Sequence, residues 1–161
     1  MPQGILIPVE EAEPLRVVEL KKVSDYQAAI GGWVEVVDLD SPEASIWFDE
    51  EGKLKNLPLN RRASLILWMH NPAFRDRDVV KGPAIVLGPG NEDGETQDVP
   101  PELKMLLTVR ETLRVEVQTA DNGEAWNINQ RRFPDWVDAY NFALALSDRW
   151  MAVERVRVVP E

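Results

Sequence analysis

The chain has 161 residues, 44% of them hydrophobic and 29% charged, which suits a globular soluble fold of one domain or two small lobes. It contains no cysteine, so disulfides, thiolate nucleophiles and zinc–cysteine sites are excluded. Its formal net charge of −10 repels nucleic acid on average and argues against direct nucleic-acid binding through the whole surface.

In chain order, GILIPVE and LRVVEL read as short strands separated by polar EAEP. VSDYQAAIGG predicts a two-turn helix, with Ser24 and Gln27 at capping-box spacing, Val23 as a staple, and Gly31-Gly32 as the stop. WVEVVDL and ASIWFDE follow as strands joined by DSPE. Asn60 is placed to cap a helix running to His70-Asn71-Pro72, where Pro72 ends it. GPAIVLG is an apolar strand, GPGNEDGETQDVPP a loop, and PELKMLLTV a short helix. LRVEVQT then alternates cleanly, with Leu113, Val115 and Val117 on one face. Asp121-Asn122-Gly123 predicts a hairpin turn returning through EAWNINQRRF. PDWVDAYNFALALSDRW carries Trp136, Ala139, Ala143, Leu146 and Trp150 on one helical stripe, and VERVRVV closes as a strand. The order implies an α+β fold of small mixed or antiparallel sheets with helices packed on one side. Two lobes are expected: residues 1–108, and a C-terminal ββαβ lobe at 109–161.

The N-terminus has no basic n-region, and no run approaches the roughly 18 apolar residues of a membrane helix. A cytoplasmic protein without membrane contact is expected. The one histidine, His70, sits at a helix end before Asn-Pro, where a lone His caps carbonyls or faces solvent. Ser64 has no G-x-S-x-G elbow, the acidic stretches lack calcium-loop spacing, and no Walker or G-x-G-x-x-G motif occurs. No catalytic residue, cofactor or metal is therefore expected. Of the six Trp, Trp33, Trp47, Trp126, Trp136 and Trp150 are expected in cores, while Trp68, late in its helix, is either packed or partly exposed.

Two arginine pairs stand near predicted helix starts, where free N–H groups favour anions. Arg61-Arg62 follow Asn60, and Arg131-Arg132 precede Phe133-Pro134. Either they balance neighbouring carboxylates or they hold a small anionic ligand. A second candidate is the polar side of the C-terminal sheet: Arg114, Gln118, Asn127, Asn129, Arg131, Arg155 and Arg157. Such a face is either simply solvated or an interaction surface.

Four motifs occur in order: Gly31-Gly32-Trp33-Val34-Glu35-Val36-Val37, Asp49-Glu50-Glu51-Gly52-Lys53, Leu57-Pro58-Leu59-Asn60-Arg61-Arg62-Ala63, and Gly82-Pro83-Ala84-Ile85-Val86-Leu87-Gly88. Over about residues 4–107 the chain resembles an uncharacterised family of small phage and mobile-element proteins. The resemblance implies a compact α+β fold and a phage or prophage origin, hence the cytoplasm of a host bacterium. It supplies no activity. Together with the missing catalytic constellations, it leads to a non-enzymatic accessory protein that binds a host macromolecule or self-associates. Two alternatives stand beside it: a nucleotide-signal sponge using the arginine pairs, and an acidic DNA mimic acting on a host DNA-binding enzyme.

Overall fold

A computed structural model describes residues 2–75, 77–90, 92, 95–109, 111–121, 123–128, 131–150 and 152–160, with Val23 described through its backbone only. Asn122 and Asn129, named above for a turn and a polar face, lie outside the described residues. The chain divides into two compact units, Met1–Thr108 and Val109–Glu161.

The first unit runs β1 (Gln3–Ile7), β2 (Arg16–Glu19), α1 (Val23–Ile30), β3 (Val34–Leu39), β4 (Ala44–Asp49), α2 (Arg61–His70), a 3-10 turn (Pro72–Phe74), β5 (Ala84–Leu87) and α3 (Pro101–Thr108). The strands form one sheet of order β2-β1-β5-β4-β3, and every neighbouring pair is antiparallel. All four residues of β5 are buried, as expected of an apolar run at the centre of a sheet. Leu6, Ile85 and Leu87 pack with Leu20 and with Tyr26 and Ile30 of α1. Trp47 extends this layer by stacking on Tyr26 at 4.7 Å between ring centroids. The opposite face presents Ile5, Ile7, Ile46, Phe48 and Val86, which are equally buried. Helix α2, whose Ala63, Ile66 and Leu67 are buried, is strapped across the sheet at both ends. Asn60 Nδ2 donates to Ile7 O and Gly82 O, each at 3.0 Å, while Asn71 Nδ2 donates to Asp38 O at 2.8 Å.

Local chemistry sets the boundaries. Helix α1 begins earlier than the Ser24 signal implies. Lys22 is the N-cap, and Asp25 Oδ2 accepts the N–H groups of Lys21 and Lys22 at 2.9 Å each. Those two N–H bonds hold the Asp25 carboxyl below its usual range. Gly31 stops the helix in the left-handed region at φ 94, which only glycine adopts freely. A Cβ on Gly32 would lie 2.6 Å from Lys55 Nζ and 2.8 Å from Asp49 Oδ2, so the Gly-Gly pair also makes room for the ion pair between the buried Asp49 and the exposed Lys55.

The second unit is β6 (Leu113–Thr119), β7 (Asn127–Ile128), α4 (Trp136–Arg149) and β8 (Val153–Pro160), the expected ββαβ order. Its sheet has the order β7-β6-β8 and is antiparallel throughout. Leu113, Val115, Val117 and Val158 are buried, as are Trp136, Ala139, Tyr140 and Ala143 of α4, which packs on β6 and β8. One-sided packing thus describes this unit, whereas the five-stranded sheet is buried on both faces. Trp150, expected on the core stripe, is instead the C-cap residue of α4 and 45% exposed. The helix ends before the stripe reaches it. Among the described residues no helix is long and apolar enough to cross a membrane.

Candidate interaction surfaces

Asn60 is fully buried, and its side chain is completely engaged. Its Oδ1 accepts Ala63 N–H at 3.0 Å, as an N-cap should, and its Nδ2 serves the two carbonyls that fix β1 and the approach to β5. Arg61 and Arg62 diverge despite being adjacent. Arg61 is exposed, 3.9 Å from Glu11. Arg62 is buried and donates to three backbone carbonyls: Glu13 O at 2.8 Å from Nη1, and Pro8 O and Glu10 O at 2.9 Å each from Nη2. Burial pushes its pKa down, while Glu11 and Glu13 oppose the shift. The unfavourable place of Arg62 at a helix start therefore has a structural reason: the guanidinium satisfies the 8–13 turn. Those two nitrogens are already bonded to protein.

Arg131 and Arg132 also make different contacts from each other. The Arg131 guanidinium lies 4.8 Å from the ring centre of Phe142 and 5.6 Å from that of Phe133, a cation–π arrangement beside α4. Arg132 Nη1 donates to Arg131 O at 3.1 Å.

The polar face of the second sheet is real, but its membership differs from the expected set. Antiparallel register places Arg157 opposite Glu116, Arg155 opposite Gln118, and Ile128 opposite Glu116 on the other side. Asn127 pairs with Val117 and so belongs to the apolar face, because a shift of one residue reverses a strand's side chains. The organiser is Glu116, a buried carboxylate that the arginine pattern did not single out. It meets Arg114 Nη2 at 2.9 Å and Arg157 Nη2 at 2.6 Å. Arg157 also lies 3.9 Å over the Trp126 ring. Gln118 Nε2 donates to Glu124 O at 2.9 Å. Much of this face is committed to internal pairing.

His70 is buried rather than solvent-facing, with Nδ1 3.3 Å from Asp40 O. Burial lowers its pKa to about 4, against the opposing backbone bonds of Asp40 and Ser41. At neutral pH it is an uncharged imidazole inside the protein. Asp49 is similarly enclosed. Burial pushes its carboxyl up, but the Lys55 ammonium at 2.7 Å and the Glu51 N–H at 2.8 Å outweigh this and hold it below the usual range. Among the described residues no group of three His, Asp or Glu side chains is arranged to hold a metal.

Large apolar side chains, by contrast, lie bare. Trp33 is 67% exposed and Leu54 87%, with Val36 also exposed. Trp33 was expected in a core. It falls instead where the chain leaves Gly32 for an edge strand, and the broken alternation of WVEVVDL is the sequence signal of that edge. In the four motifs, glycine and Asn60 do structural work, and Trp33 is the most exposed large apolar residue.

These features define a small antiparallel α+β protein whose buried charges and amides largely serve its own backbone and ion pairs, leaving Trp33 and Val36 at a sheet edge in solvent. Residues 4–113 match DUF3846, a domain of unknown function, and the chain belongs to that family. Comparison with curated proteins and with solved structures finds no match.

Proposed function

We propose that this is a non-enzymatic accessory protein of phage or prophage origin that holds a protein of the bacterial host. Trp33 carries the reading. An indole left two-thirds in water beside a sheet edge is the kind of side chain that anchors interfaces. Support comes from His70, whose burial withholds the only imidazole from substrate, and from Arg62, whose bonded nitrogens weaken the sponge alternative. The test is affinity capture from host extract with wild type and Trp33→Ala, read by quantitative mass spectrometry. A host protein retained by wild type and depleted at least fivefold with Trp33→Ala is expected. No Trp33-dependent protein in repeated captures would refute the reading.

A second reading is an acidic mimic of nucleic acid. It draws on residues 31–52, which hold seven Asp or Glu and no Lys or Arg. It predicts capture of a DNA-binding enzyme that Trp33→Ala leaves intact and free duplex displaces.

A further inference from the structure

The edge strand β3 has unspent backbone. Glu50 N donates to Trp33 O at 3.0 Å, and the register continues from Val34 opposite Asp49 to Leu39 opposite Ala44. In an antiparallel pair the bonded positions alternate. Residues 33, 35, 37 and 39 therefore turn their peptide groups to β4, and residues 34, 36 and 38 turn theirs outward. The end of α2 confirms this parity, because Asn71 takes Asp38 O and His70 O takes Asp40 N. That cap stops short of Val34 and Val36. Val36 is 46% exposed, and Glu35, Asp38 and Trp33 are exposed around it.

Charge selects the occupant. The hairpin 31–52 carries seven acids without a Lys or Arg, and Asp49 is paired with Lys55 from outside it. A second β3 would bring the same acids to the same edge, in a chain already at −10. Opposite Glu35 and Asp38, an antiparallel strand would place its residues three positions apart.

We propose that the outer edge of β3 docks an extended, basic segment of a protein partner along Val34–Val36, with Trp33 closing one end and cationic side chains three positions apart reaching the Glu35 carboxylate and, where the α2 cap ends the open edge, the Asp38 carboxylate. This rests on the binding-protein reading and names its surface. Main-chain bonds at Val34 and Val36 supply affinity, and the two carboxylates supply charge selection.

The probe is a fluorescently labelled, blocked hexapeptide, Thr-Lys-Val-Val-Lys-Thr. Two relatives accompany it: one with Glu for Lys, and one N-methylated at the residues paired with Val34 and Val36. Wild type should bind the first at least tenfold more tightly than either relative, by fluorescence anisotropy at fixed salt. Val36→Pro removes an outward N–H and leaves the β4 ladder intact, so it should weaken binding at least tenfold. Val17→Pro is the matched control on β2. Leu20 N donates to Pro2 O, so Val17 also turns outward, and this variant should bind like wild type. If Val36→Pro fails to melt cooperatively, the pair Glu35→Lys and Asp38→Lys replaces it and should reverse the preference toward the Glu peptide. Equal binding of the N-methylated peptide, equal loss with Val17→Pro, or no binding by wild type overturns the proposal. So does concentration-dependent self-association that Val36→Pro abolishes, since the occupant is then a second copy. A host protein captured through Trp33 yet retained fully by the Val36→Pro or charge-reversed protein overturns the docking strand and leaves the binding-protein reading standing.

Discussion

Acid should loosen the first unit through a single side chain. His70 is the only histidine in a chain without cysteine, so no other side chain has an ordinary pKa between pH 5 and 8. Unfolded, its imidazole titrates near 6.5; folded, burial holds it at about 4. Between those values the unfolded state binds more protons, so stability rises with pH and is lost as pH falls below 6.5. The loss levels off below about 4. From pH 7.5 to 5.0 the linkage relation gives a loss of about 2 kcal/mol, and the plateau lies at about 3 kcal/mol, with roughly 1.4 kcal/mol for each pH unit between the two pKa values. The comparison is urea denaturation of wild type and His70→Gln at several pH values, followed by tryptophan fluorescence. Glutamine keeps a polar group near Asp40 O and cannot titrate. It should start less stable and lose about 2 kcal/mol less than wild type over that range. The carboxylates begin to titrate at the acid end, but they do so in both proteins and cancel in the difference. The single histidine signal in proton NMR should meanwhile stay neutral through pH 5.5. Parallel pH profiles for the two proteins would show that His70 takes up protons freely in the folded state, and the burial argument would fail.

Arg62→Gln should destabilise by about 2–4 kcal/mol, because it strips donors from three carbonyls, whereas Arg61→Gln should change stability by about 0.5 kcal/mol or less; chemical denaturation of each separates the neighbours. Trp136→Ala should cost about 3–5 kcal/mol and Trp150→Ala about 1 kcal/mol, and equal denaturation midpoints would contradict their different burial. Gly88→Ala should lower the melting temperature clearly, by about 1–3 kcal/mol of stability, since its Cβ would lie 2.2 Å from Asp98 O and the obstacle is backbone; an unchanged melt would mean that the 88–98 segment yields.

Elements with a strong local code were legible. The alternation of LRVEVQT, the apolar run in GPAIVLG, the Gly31-Gly32 stop and the Asn60 cap each act within a few residues, and each appears where it was read. What escaped was set by partners distant in sequence. Arg62 finds its acceptors 49 to 54 positions away, in carbonyls that carry no side-chain signature. Arg114 and Arg157 were noticed, but Glu116, which gathers them, reads as one more polar residue on an alternating strand. Asn127 was misplaced because, among the described residues of EAWNINQRRF, β6 is met at Asn127 and Ile128 and through a bridge at Phe133, a register that hydrophobic pattern could not decide. Trp33 and Trp150 were misjudged for a shared reason: each lies one step beyond a helix end or strand start, where periodicity stops predicting direction.

The place of β5 bears on how the chain comes off the ribosome. The pairs β1–β2 and β3–β4 are neighbours in sequence and can zip locally, but β5 joins them only after residue 87 has been made. Until then β1 and β4 each present an unpaired inner edge, lined by Ile5, Ile7, Ile46 and Phe48. A nascent chain cut short before that strand would hold two sticky half-sheets with nothing to join them, so truncated products should aggregate or recruit chaperones, while a full-length chain seals both edges in one event.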